Sequence, residues 1–351
     1  MTNIYLIRHA ESEGNLYRRA HGHYNGQVTM MGHEQLKCLK KRFENETIDA
    51  VYSSDLDRTV TTAMSISQPK NLQINKTEML REVNLGIWEN MAWGEIEHET
   101  PELAENFNSD PANWQVEGSE DYETVQSRMW DCISEIAAKH DGETIAIVSH
   151  GFALRSFMCK LLGVESQDSK EVPYFDNTAV ALLTYNDGNF SIEFSGDNSH
   201  LTDDLSTFFK QTWWRDEHEK VKENLRYEQI DSNTDNPNIP PTMKTIIEKT
   251  SFNPGYLALL DTEPVGLIAL DKNDDTVGKI IYYYIKSEHR NRNFAEQLIG
   301  QAIAAFRELN KKTIQIIVMP NDKNSTTFMQ RHGFKQIVDD DTLGILELDI
   351  T

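Results

Sequence analysis

The chain has 351 residues, more than twice the length of a typical domain of about 150 residues, so the length argues against a single hydrophobic core. With 34 Lys and Arg against 56 Asp and Glu, the formal net charge is -22, which argues against broad contact with nucleic-acid phosphates or anionic lipid. Hydrophobic residues make up 38% of the chain, which is enough for packed cores and excludes a disordered protein.

The first 200 residues alternate between apolar runs of strand length and segments with helical periodicity. The predicted strands are residues 4–7, 50–52 and 144–148, and the predicted helices lie near 33–44, 56–67, 122–139 and 152–162. Alternation of this kind predicts a mostly parallel sheet with helices on both faces, which is a three-layer α/β/α domain.

Each of these three strands runs directly into a polar cluster. The clusters are residues 8–9, 53–55 and 149–151, with the sequences RH, SSD and SHG. Because ligands bind beyond the carboxyl ends of the strands in such sheets, we expect the three clusters to meet at one edge.

The segment after the first domain is predicted to be a polar helix followed by a linker. The predicted helix covers residues 205–227. It contains an aromatic patch, which is expected to pack on a domain because exposing two Trp side chains to water is energetically unfavourable; the patch consists of Phe208, Phe209, Trp213 and Trp214. Residues 231–242, DSNTDNPNIPPT, are typical of a linker. The predicted organisation is a domain at 1–204, a helix and linker at 205–242, and a domain at 243–351.

The second domain shows a different order of elements and is predicted to be α+β. Its strands are expected at residues 256–260, 266–270, 279–285, 313–319 and 343–349, and its helices at 294–309 and 325–331. The first two of these strands are separated by a short turn, which predicts an antiparallel hairpin.

The cysteines and the N-terminus predict a cytoplasmic protein. Cys38, Cys132 and Cys159 are scattered without CxxC or histidine spacing, so the sequence suggests neither a disulfide framework nor a zinc site. Residues 1–8 lack a signal-peptide pattern, and no window reaches the ~18 apolar residues of a membrane span. We therefore expect no membrane partner and no nucleic-acid partner, and a homodimer is compatible with the sequence.

Two arginines and two histidines follow the predicted strands and could converge on one point. Arg8 and His9 follow the first strand, Arg58 opens the helix after the second, and His150 ends the third. Guanidinium groups and a helix N-terminus are what a tetrahedral dianion requires. Taken alone, a histidine at a strand end is explained equally well as an ordinary surface or core residue without a functional role.

Four motifs in this order resemble the histidine phosphatase superfamily, which is also called the phosphoglycerate mutase-like family. They are LIRHAESEGN at residues 6–15, YSSDLDR at 52–58, LRE at 80–82 with GIWE at 86–89, and SHG at 149–151. The resemblance spans roughly the first 200 residues and implies that family's fold. One departure is Ala10, where the family usually has glycine.

The resemblance implies a role for each residue of the first cluster. It makes His9 the nucleophile that becomes phosphohistidine, with Arg8, Arg58 and His150 holding the transferred phosphoryl group. It also makes Glu82 the general acid, which later activates water. On chemistry alone three further carboxylates could take that role, namely Glu11, Asp55 and Glu89.

Further residues are expected to bind the phosphate or the rest of the substrate. Asn15, His21 and Gly151 match positions near the phosphate, although Asn15 is equally compatible with a turn residue. Arg18, Arg19 and His23 are expected at the mouth of the pocket, or else in a polar surface loop. No metal motif appears, and the phosphatase chemistry is expected to need no cofactor because the arginines supply the charge.

The sequence after Glu82 favours a phosphatase over a mutase. The family's mutases carry an inserted basic segment there, whereas this chain continues with VNLGIWEN and then with acidic helices containing Glu95, Glu97, Glu99, Glu102 and Glu105. We expect such a surface to repel a bisphosphate, so the predicted substrate is a small phosphomonoester. A phosphoglycerate mutase is the alternative.

A second motif resembles the pyrophosphate loop of the GNAT family of N-acetyltransferases. It comprises Arg290, Asn291, Arg292, Asn293, Phe294 and Ala295, between a predicted strand and helix. Asn293 stands where glycine is usual, and Met329 stands where the family often has its general-acid tyrosine. The resemblance implies binding of acetyl-CoA or CoA.

These motifs lead to three hypotheses for the whole chain. The first is a two-domain enzyme, a phosphoric monoester hydrolase joined to an acetyltransferase-like domain. The second makes the C-terminal domain a CoA-binding or dimerising module without catalysis. The third is a binding protein with a decayed active site, against which the intact Arg8, His9, Arg58, Glu82 and His150 argue.

Overall fold

A computed structural model describes residues 1–212, 222–231, 239–249, 251–319, 322–339 and 343–351. Trp213, Trp214 and residues 232–238 of the predicted linker lie outside these ranges. The chain divides into two compact units. The first comprises Met1–Asn15, Ala20–Met91 and Glu99–Val221, and the second comprises Leu16–Arg19, Ala92–His98 and Lys222–Thr351.

The first unit contains a six-stranded sheet in the order β3-β2-β4-β1-β5-β6. Its strands are β1 (Thr2–Arg8), β2 (Ala50–Ser53), β3 (Ile74–Lys76), β4 (Thr144–Ser149), β5 (Val180–Asn186) and β6 (Asn189–Asp197). The four strands from β3 to β1 are parallel, and β5 and β6 continue the sheet as antiparallel strands. The mostly parallel sheet and all three predicted strands are therefore confirmed.

Helices cover both faces of this sheet. The helices of the first 212 residues are α1 (Glu13–Tyr17), α2 (Met30–Arg42), α3 (Asp57–Ser67), α4 (Trp93–Glu99), α5 (Pro101–Ser109), α6 (Tyr122–Lys139), α7 (Gly151–Leu162) and α8 (Thr207–Lys210). Of these, α4 belongs almost entirely to the second unit. The residues Leu39 and Ile66 of α2 and α3 pack with Val148 of β4 in one core. The helices α6 and α7 contact β1. The predicted three-layer α/β/α domain is thus confirmed.

The second unit contains a seven-stranded sheet in the order β12-β13-β11-β10-β9-β8-β7. Its strands are β7 (Arg226–Ile230), β8 (Gly255–Leu260), β9 (Glu263–Asp271), β10 (Val277–Ile285), β11 (Thr313–Val318), β12 (Lys335–Asp339) and β13 (Gly344–Asp349). Its helices are α9 (Pro241–Lys249), α10 (Phe294–Glu308) and α11 (Lys323–Arg331). The predicted α+β domain and the β8–β9 hairpin are confirmed.

One pair of strands in this sheet is parallel and separates partway along its length. Val277 to Ile280 of β10 pair with Thr313 to Ile316 of β11, and the paired register ends there. Beyond Ile280, β10 continues toward α10 as far as Ile285 without a register partner in β11. Helix α10 packs its buried face, including Leu298 and Phe306, against the sheet.

The predicted helix over residues 205–227 is wrong in its described part. Only four residues form α8, and residues 226–230 belong to β7, inside the range predicted as helix and linker. Long-range contacts explain the early end of α8: the backbone of Gln211 is extended, and its side-chain amide donates to the carbonyl of Asn15. Phe208 is half-buried, whereas Phe209 is 61% exposed, so the predicted packing of the aromatic patch fails at Phe209.

No helix within the described ranges is long and apolar enough to cross a membrane.

Candidate active site

The parallel strands bring the predicted polar clusters to one edge of the first sheet. Arg8 of β1 lies opposite Ser149 of β4, so the following residues, His9 and His150, lie side by side. Their ring centroids are 5.2 Å apart. Arg58, in the first turn of α3, places its Nε 3.2 Å from Nδ1 of His150. All four side chains are buried, as the convergence predicted from the sequence requires.

Hydrogen bonds show that the two neutral imidazoles are different tautomers. Nδ1 of His9 lies 2.7 Å from the carbonyl oxygen of Ala10, and since a carbonyl only accepts, Nδ1 carries the proton and Nε2 has a lone pair. Nδ1 of His150 accepts from Arg58 Nε, so its proton is on Nε2. The site therefore combines a nucleophilic nitrogen with an N–H donor.

Burial and the arginines keep both rings neutral. The pKa of His9 lies well below its usual value, first because the ring is buried and then because Arg58 and Arg8 are close. Burial, Arg58 and His9 depress the pKa of His150 in the same way. An imidazole attacks phosphorus only in its neutral form, so these shifts suit a nucleophile at neutral pH.

Two buried donors at this edge have no hydrogen-bond partner among the described residues. They are Nε of Arg8 and Nε2 of His150. A buried donor without a partner costs about 1–3 kcal/mol, so such pairs of donors indicate a site that a ligand completes. Arg8 also lies against the start of α7, because a Cβ at Gly151 would come within 3.3 Å of that Nε.

Arg58 has a further structural role that the sequence did not predict. Its terminal nitrogens donate to the carbonyl of Tyr24 at 2.8 Å and to that of Gly22 at 2.7 Å. Burial lowers the pKa of Arg58 to about 10, so the group stays charged at neutral pH. Most of its donors are therefore already used by the loop of residues 21–24 and by His150, which leaves fewer for a phosphoryl group than predicted.

Glu89 binds the backbone N–H groups of the same loop, residues 21–24. Its carboxylate accepts from the backbone N–H of His23 at 2.7 Å, of Tyr24 at 2.8 Å and of Gly22 at 3.2 Å. Gly22 is required by this close approach, because a Cβ there would lie 2.1 Å from the carbonyl oxygen of Val83. The backbone of the loop is thus fixed from two sides, because Arg58 donates to its carbonyls and Glu89 accepts from its N–H groups.

The position of Glu82 distinguishes it from the other carboxylates. It accepts from the backbone N–H of Val83, Phe152 and Ala153 at 3.1, 3.0 and 2.8 Å, so it sits at the N-terminus of α7 beside His150. Burial lowers the pKa of Arg8 and of Arg58, and the negative charge of Glu82 opposes this lowering at both guanidinium groups.

The three alternative carboxylates have other partners. Asp55 pairs with Arg81, whose Nε donates to it at 2.7 Å, and this bond lowers the pKa of Asp55. Glu11 is buried and accepts from the hydroxyl of Thr29 at 2.6 Å. Glu89 binds the loop, as described above. The geometry therefore favours Glu82 among the four.

The structure also places the predicted phosphate-binding residues Asn15 and His21. Oδ1 of Asn15 accepts hydrogen bonds from the backbone N–H and the hydroxyl of Ser12 and from the side-chain amide of Asn177. These bonds use the oxygen of the Asn15 amide and not its Nδ2 hydrogens. His21 stacks on Tyr24 with ring centroids 4.5 Å apart, and its charge contributes to the low pKa of His9. Both residues therefore lie near the nucleophile.

Arg18 and Arg19 differ from the expectation that they contact the substrate. Both belong to the second compact unit and are buried there. Arg18 Nε donates to Asn224 at 2.8 Å, and Arg19 donates to Gln301 at 2.9 Å. His23 stays in the first unit, with its Nε2 3.0 Å from the carbonyl oxygen of Glu82.

A segment without a predicted role in the sequence also binds the backbone of His9 and the guanidinium of Arg8. Asn177 donates to the carbonyl of His9 at 2.9 Å, and the carbonyl of Phe175 accepts from Arg8 at 2.5 Å. Burial lowers the pKa of Arg8, and the charge of Asp176, which is buried between Phe175 and Asn177, opposes this lowering. The signal in the sequence is three adjacent polar residues, DNT at 176–178, directly before an apolar strand.

The candidate CoA loop of the second unit keeps the backbone shape expected of it. Asn291 and Asn293 both have φ 61°, so asparagine adopts the left-handed conformation in which glycine is usual. Asn293 caps α10, whose first-turn N–H groups suit a pyrophosphate. Glu296 in that turn adds a negative charge, although His332 lies 3.7 Å from it.

Most side chains of the loop have partners other than a ligand. Arg290 donates to the carbonyl of Ile285, and Arg292 donates to that of Lys222 at 2.6 Å. Asn293 donates to the carbonyl of Leu16 at 2.8 Å. Phe294 is buried in the core, and the half-buried Ala295 packs against the same core. A CoA pyrophosphate would therefore be held by backbone N–H groups.

A group of metal-type ligands also lies near this loop. Glu263, Glu288 and His289 bring their ligand atoms within 4.8 Å of one another. Lys286 donates to the same Glu263 oxygen that His289 contacts, at 2.9 Å. The ammonium group of Lys286 therefore already supplies the positive charge that a metal ion would bring to Glu263.

Comparisons with known proteins match both parts of the chain. The model of the histidine phosphatase superfamily (branch 1) matches residues 4–198, and that of the acetyltransferase (GNAT) family matches residues 210–334. Phosphoserine phosphatase 1 of Hydrogenobacter thermophilus is 33% identical over 165 residues, which cover 47% of this chain and 78% of that protein. The family resemblances seen in the sequence are therefore confirmed.

Two further comparisons cover a similar part of the chain. A probable phosphoglycerate mutase GpmB of Proteus mirabilis is 26% identical over 208 residues, which cover 58% of this chain and 96% of that protein. The solved structure of Bacillus stearothermophilus YhfR is 30% identical, with a TM-score of 0.55, and covers 57% of this chain and 99% of that one.

Glu89→Gln is expected to loosen the loop of residues 21–24. An amide has one acceptor oxygen instead of two and no charge, so we expect the free energy of unfolding to fall by about 2 kcal/mol. Urea denaturation measures this change, with Glu78→Gln as the control because that side chain is 74% exposed. Equal stability of the two variants would contradict the role assigned to Glu89.

The imidazoles of His9 and His150 are expected to stay neutral in mildly acidic solution. Because both pKa values are depressed, each ring keeps its neutral form as the pH falls through 6.5, the ordinary histidine value. NMR titration of the ring carbons from pH 7.5 to 5.5 should show no protonation shift, with His9→Gln and His150→Gln used for assignment. A midpoint near pH 6.5 for either ring would contradict the prediction.

Proposed function

We infer that this protein, which belongs to the histidine phosphatase superfamily (branch 1), hydrolyses small phosphomonoesters through a phosphohistidine at His9. One observation carries this proposal. The ring of His9, whose Nε2 has the lone pair, lies 5.2 Å from that of His150, and two buried donors without a partner among the described residues, Arg8 Nε and His150 Nε2–H, lie at the same sheet edge. Such a group of donors stabilises the charge on the oxygens of a phosphoryl group in transfer.

The first step transfers the phosphoryl group to the enzyme. Nε2 of His9 attacks phosphorus and forms a P–N bond, while the P–O bond to the leaving alcohol breaks. Glu82 gives its proton to the leaving oxygen, which departs as a neutral alcohol. Arg8, the Nε2–H of His150 and the Nδ2 hydrogens of Asn15 bind the phosphoryl oxygens.

The second step regenerates the enzyme. The carboxylate of Glu82 takes a proton from water, and the resulting hydroxide oxygen bonds to phosphorus. The P–N bond breaks, its electron pair returns to Nε2 of His9, and inorganic phosphate leaves. The arginines supply the positive charge throughout, and so we propose that no metal ion takes part.

The substrate we propose is a small monophosphate, and hydrolysis rather than internal phosphate transfer is the reaction. Relatives carry the names of both a phosphoserine phosphatase and a phosphoglycerate mutase. After Glu82 the chain carries acidic side chains in α5, Glu102 and Glu105, in place of the basic segment expected of a mutase, and this favours hydrolysis. A mutase acting on phosphoglycerate is the alternative.

We propose further that the second unit binds CoA or acetyl-CoA. The partial pairing of β10 with β11 and the left-handed loop before α10 support the proposal, and the backbone N–H groups from Asn293 onward would hold the pyrophosphate. Bound acetyl-CoA would supply an activated acetyl group. Met329 is fully buried in the core and offers no proton, so a binding module without acetyl transfer is the alternative.

His9→Asn is expected to lower p-nitrophenyl phosphate hydrolysis by roughly a thousandfold or more, because the nucleophile is removed. Its control is His33→Asn, an exposed histidine on α2. The same assay with phosphoserine and phosphoglycerate should release inorganic phosphate, and EDTA should have no effect. Full activity of His9→Asn would contradict the proposal, and phosphate exchange between positions without release would favour the mutase.

Asn293→Val is expected to weaken CoA binding at least about tenfold, because a β-branched residue resists φ 61°. Asn293→Gly should bind CoA like the native chain. Asn310→Val provides the control, since Asn310 has φ 56° at the other end of α10. Calorimetry on the full chain measures binding. Equal CoA affinity of the two valine variants would contradict the proposed site, as would a native chain that binds no CoA. CoA binding without acetyl transfer to offered amines would favour the alternative, a binding module without catalysis.

A further inference from the structure

A segment beyond the part of the chain that matches the phosphatase family returns to the active site. We call residues 199–211 the strap. They follow β6, which is the edge strand of the first sheet, and they lie past residue 198, where the match to the histidine phosphatase superfamily ends. The strap contains α8 and ends where Gln211 donates to the carbonyl of Asn15 at 3.0 Å. It therefore runs from the edge of the sheet to a residue beside the nucleophile.

A buried carboxylate anchors the strap. Oδ2 of Asp176 accepts from the hydroxyl of Ser206 at 2.7 Å, and its Oδ1 accepts from the backbone N–H of Phe208 at 3.2 Å. Asn198, just before the strap, donates to the same carboxylate at 3.0 Å. The strap is also tied to α2, because Gln35 donates to the carbonyl of Leu205 at 2.8 Å. These bonds fix the backbone of α8 in one position.

The anchored backbone places an aromatic ring on the active-site arginine. The guanidinium carbon of Arg8 lies 5.9 Å from the ring centroid of Phe208, within the range of a cation–π interaction. On another side of the guanidinium, the carbonyl of Phe175 accepts from Arg8. The next residue, Phe209, points to solvent and is 61% exposed.

We propose that Phe208 is a positioning residue that acts through Arg8. Its ring and the carbonyl of Phe175 hold the guanidinium toward the phosphoryl group, and the ring excludes water from the charge. In a drier environment the same charge attracts a dianion more strongly. The proposal rests on the proposed function of this site, and it assigns a part of that function to a segment outside the family match.

The test compares four variants of Phe208 and its neighbour in the full chain. Isothermal titration with inorganic phosphate measures how firmly Arg8 and its neighbours hold a tetrahedral anion, without any turnover. Phe208→Ala is expected to weaken phosphate binding about fivefold, because the cation–π contact and the shielding are lost. Phe208→Tyr keeps the ring and should bind within about twofold of the native chain. Phe209→Ala is the matched control on the same short helix and should bind like the native chain.

Phe208→Leu distinguishes positioning from packing. Leucine still covers the guanidinium with apolar atoms but has no π face, so it should recover only part of the phosphate affinity that alanine loses. Rescue by leucine equal to that by tyrosine would show that Phe208 only packs, and native affinity of Phe208→Ala would also overturn the proposal. Urea denaturation of each variant identifies a loss of affinity that comes from misfolding.

The outcomes separate this inference from the proposed function. A native chain that binds phosphate in the expected variant order, but hydrolyses no ester, leaves the inference standing and removes the phosphatase. A native chain that hydrolyses esters while Phe208→Ala keeps its full phosphate affinity removes the inference alone. A native chain that binds no phosphate overturns the role of Arg8 and with it the inference.

Discussion

The burial of two guanidinium groups beside two neutral imidazoles is the constraint on which the first domain depends. Moving an ion out of water costs several kcal/mol unless hydrogen bonds and opposite charges offset the loss. Backbone carbonyls and the carboxylates of Glu82 and Asp176 supply part of this compensation to Arg8 and Arg58. Donors at Arg8 and His150 still have no partner among the described residues, and a tetrahedral dianion would provide the missing acceptors.

The same positive charges that would bind the anion also prepare the nucleophile. Arg8 and Arg58 disfavour protonation of His9, and the bond from Nδ1 to the carbonyl of Ala10 leaves the lone pair on Nε2. Two oppositely charged side chains hold the backbone next to this nucleophile. Arg58 binds carbonyls of the loop at residues 21–24, and Glu89 binds its amides. Preorganisation of this kind lets the donors act without rearrangement during transfer.

The second domain shows how a fold can be retained while its site changes. Strand β10 pairs with β11 over only part of its length, and Asn291 and Asn293 adopt the left-handed conformation in the loop before α10 where the GNAT family usually has glycine. The side chains differ, since Glu296 brings a negative charge to the first turn of α10 and Met329 belongs to the core. Fold alone does not imply function, so the chemistry of this domain depends on these substitutions.

The sequence by itself determined the two domain classes, most of the strands and helices, and the convergence of Arg8, His9, Arg58 and His150, because apolar periodicity and strand ends are local signals. The tertiary structure alone decided which carboxylate faces the cluster. Glu82, Glu89, Glu11 and Asp55 are chemically alike, and only their partners in space distinguish them. It also decided the place of Arg18 and Arg19, the support by Asn177, and the end of α8 at Lys210. Each of these depends on bonds between residues far apart in the chain, and the pattern of neighbouring residues carries no record of such bonds.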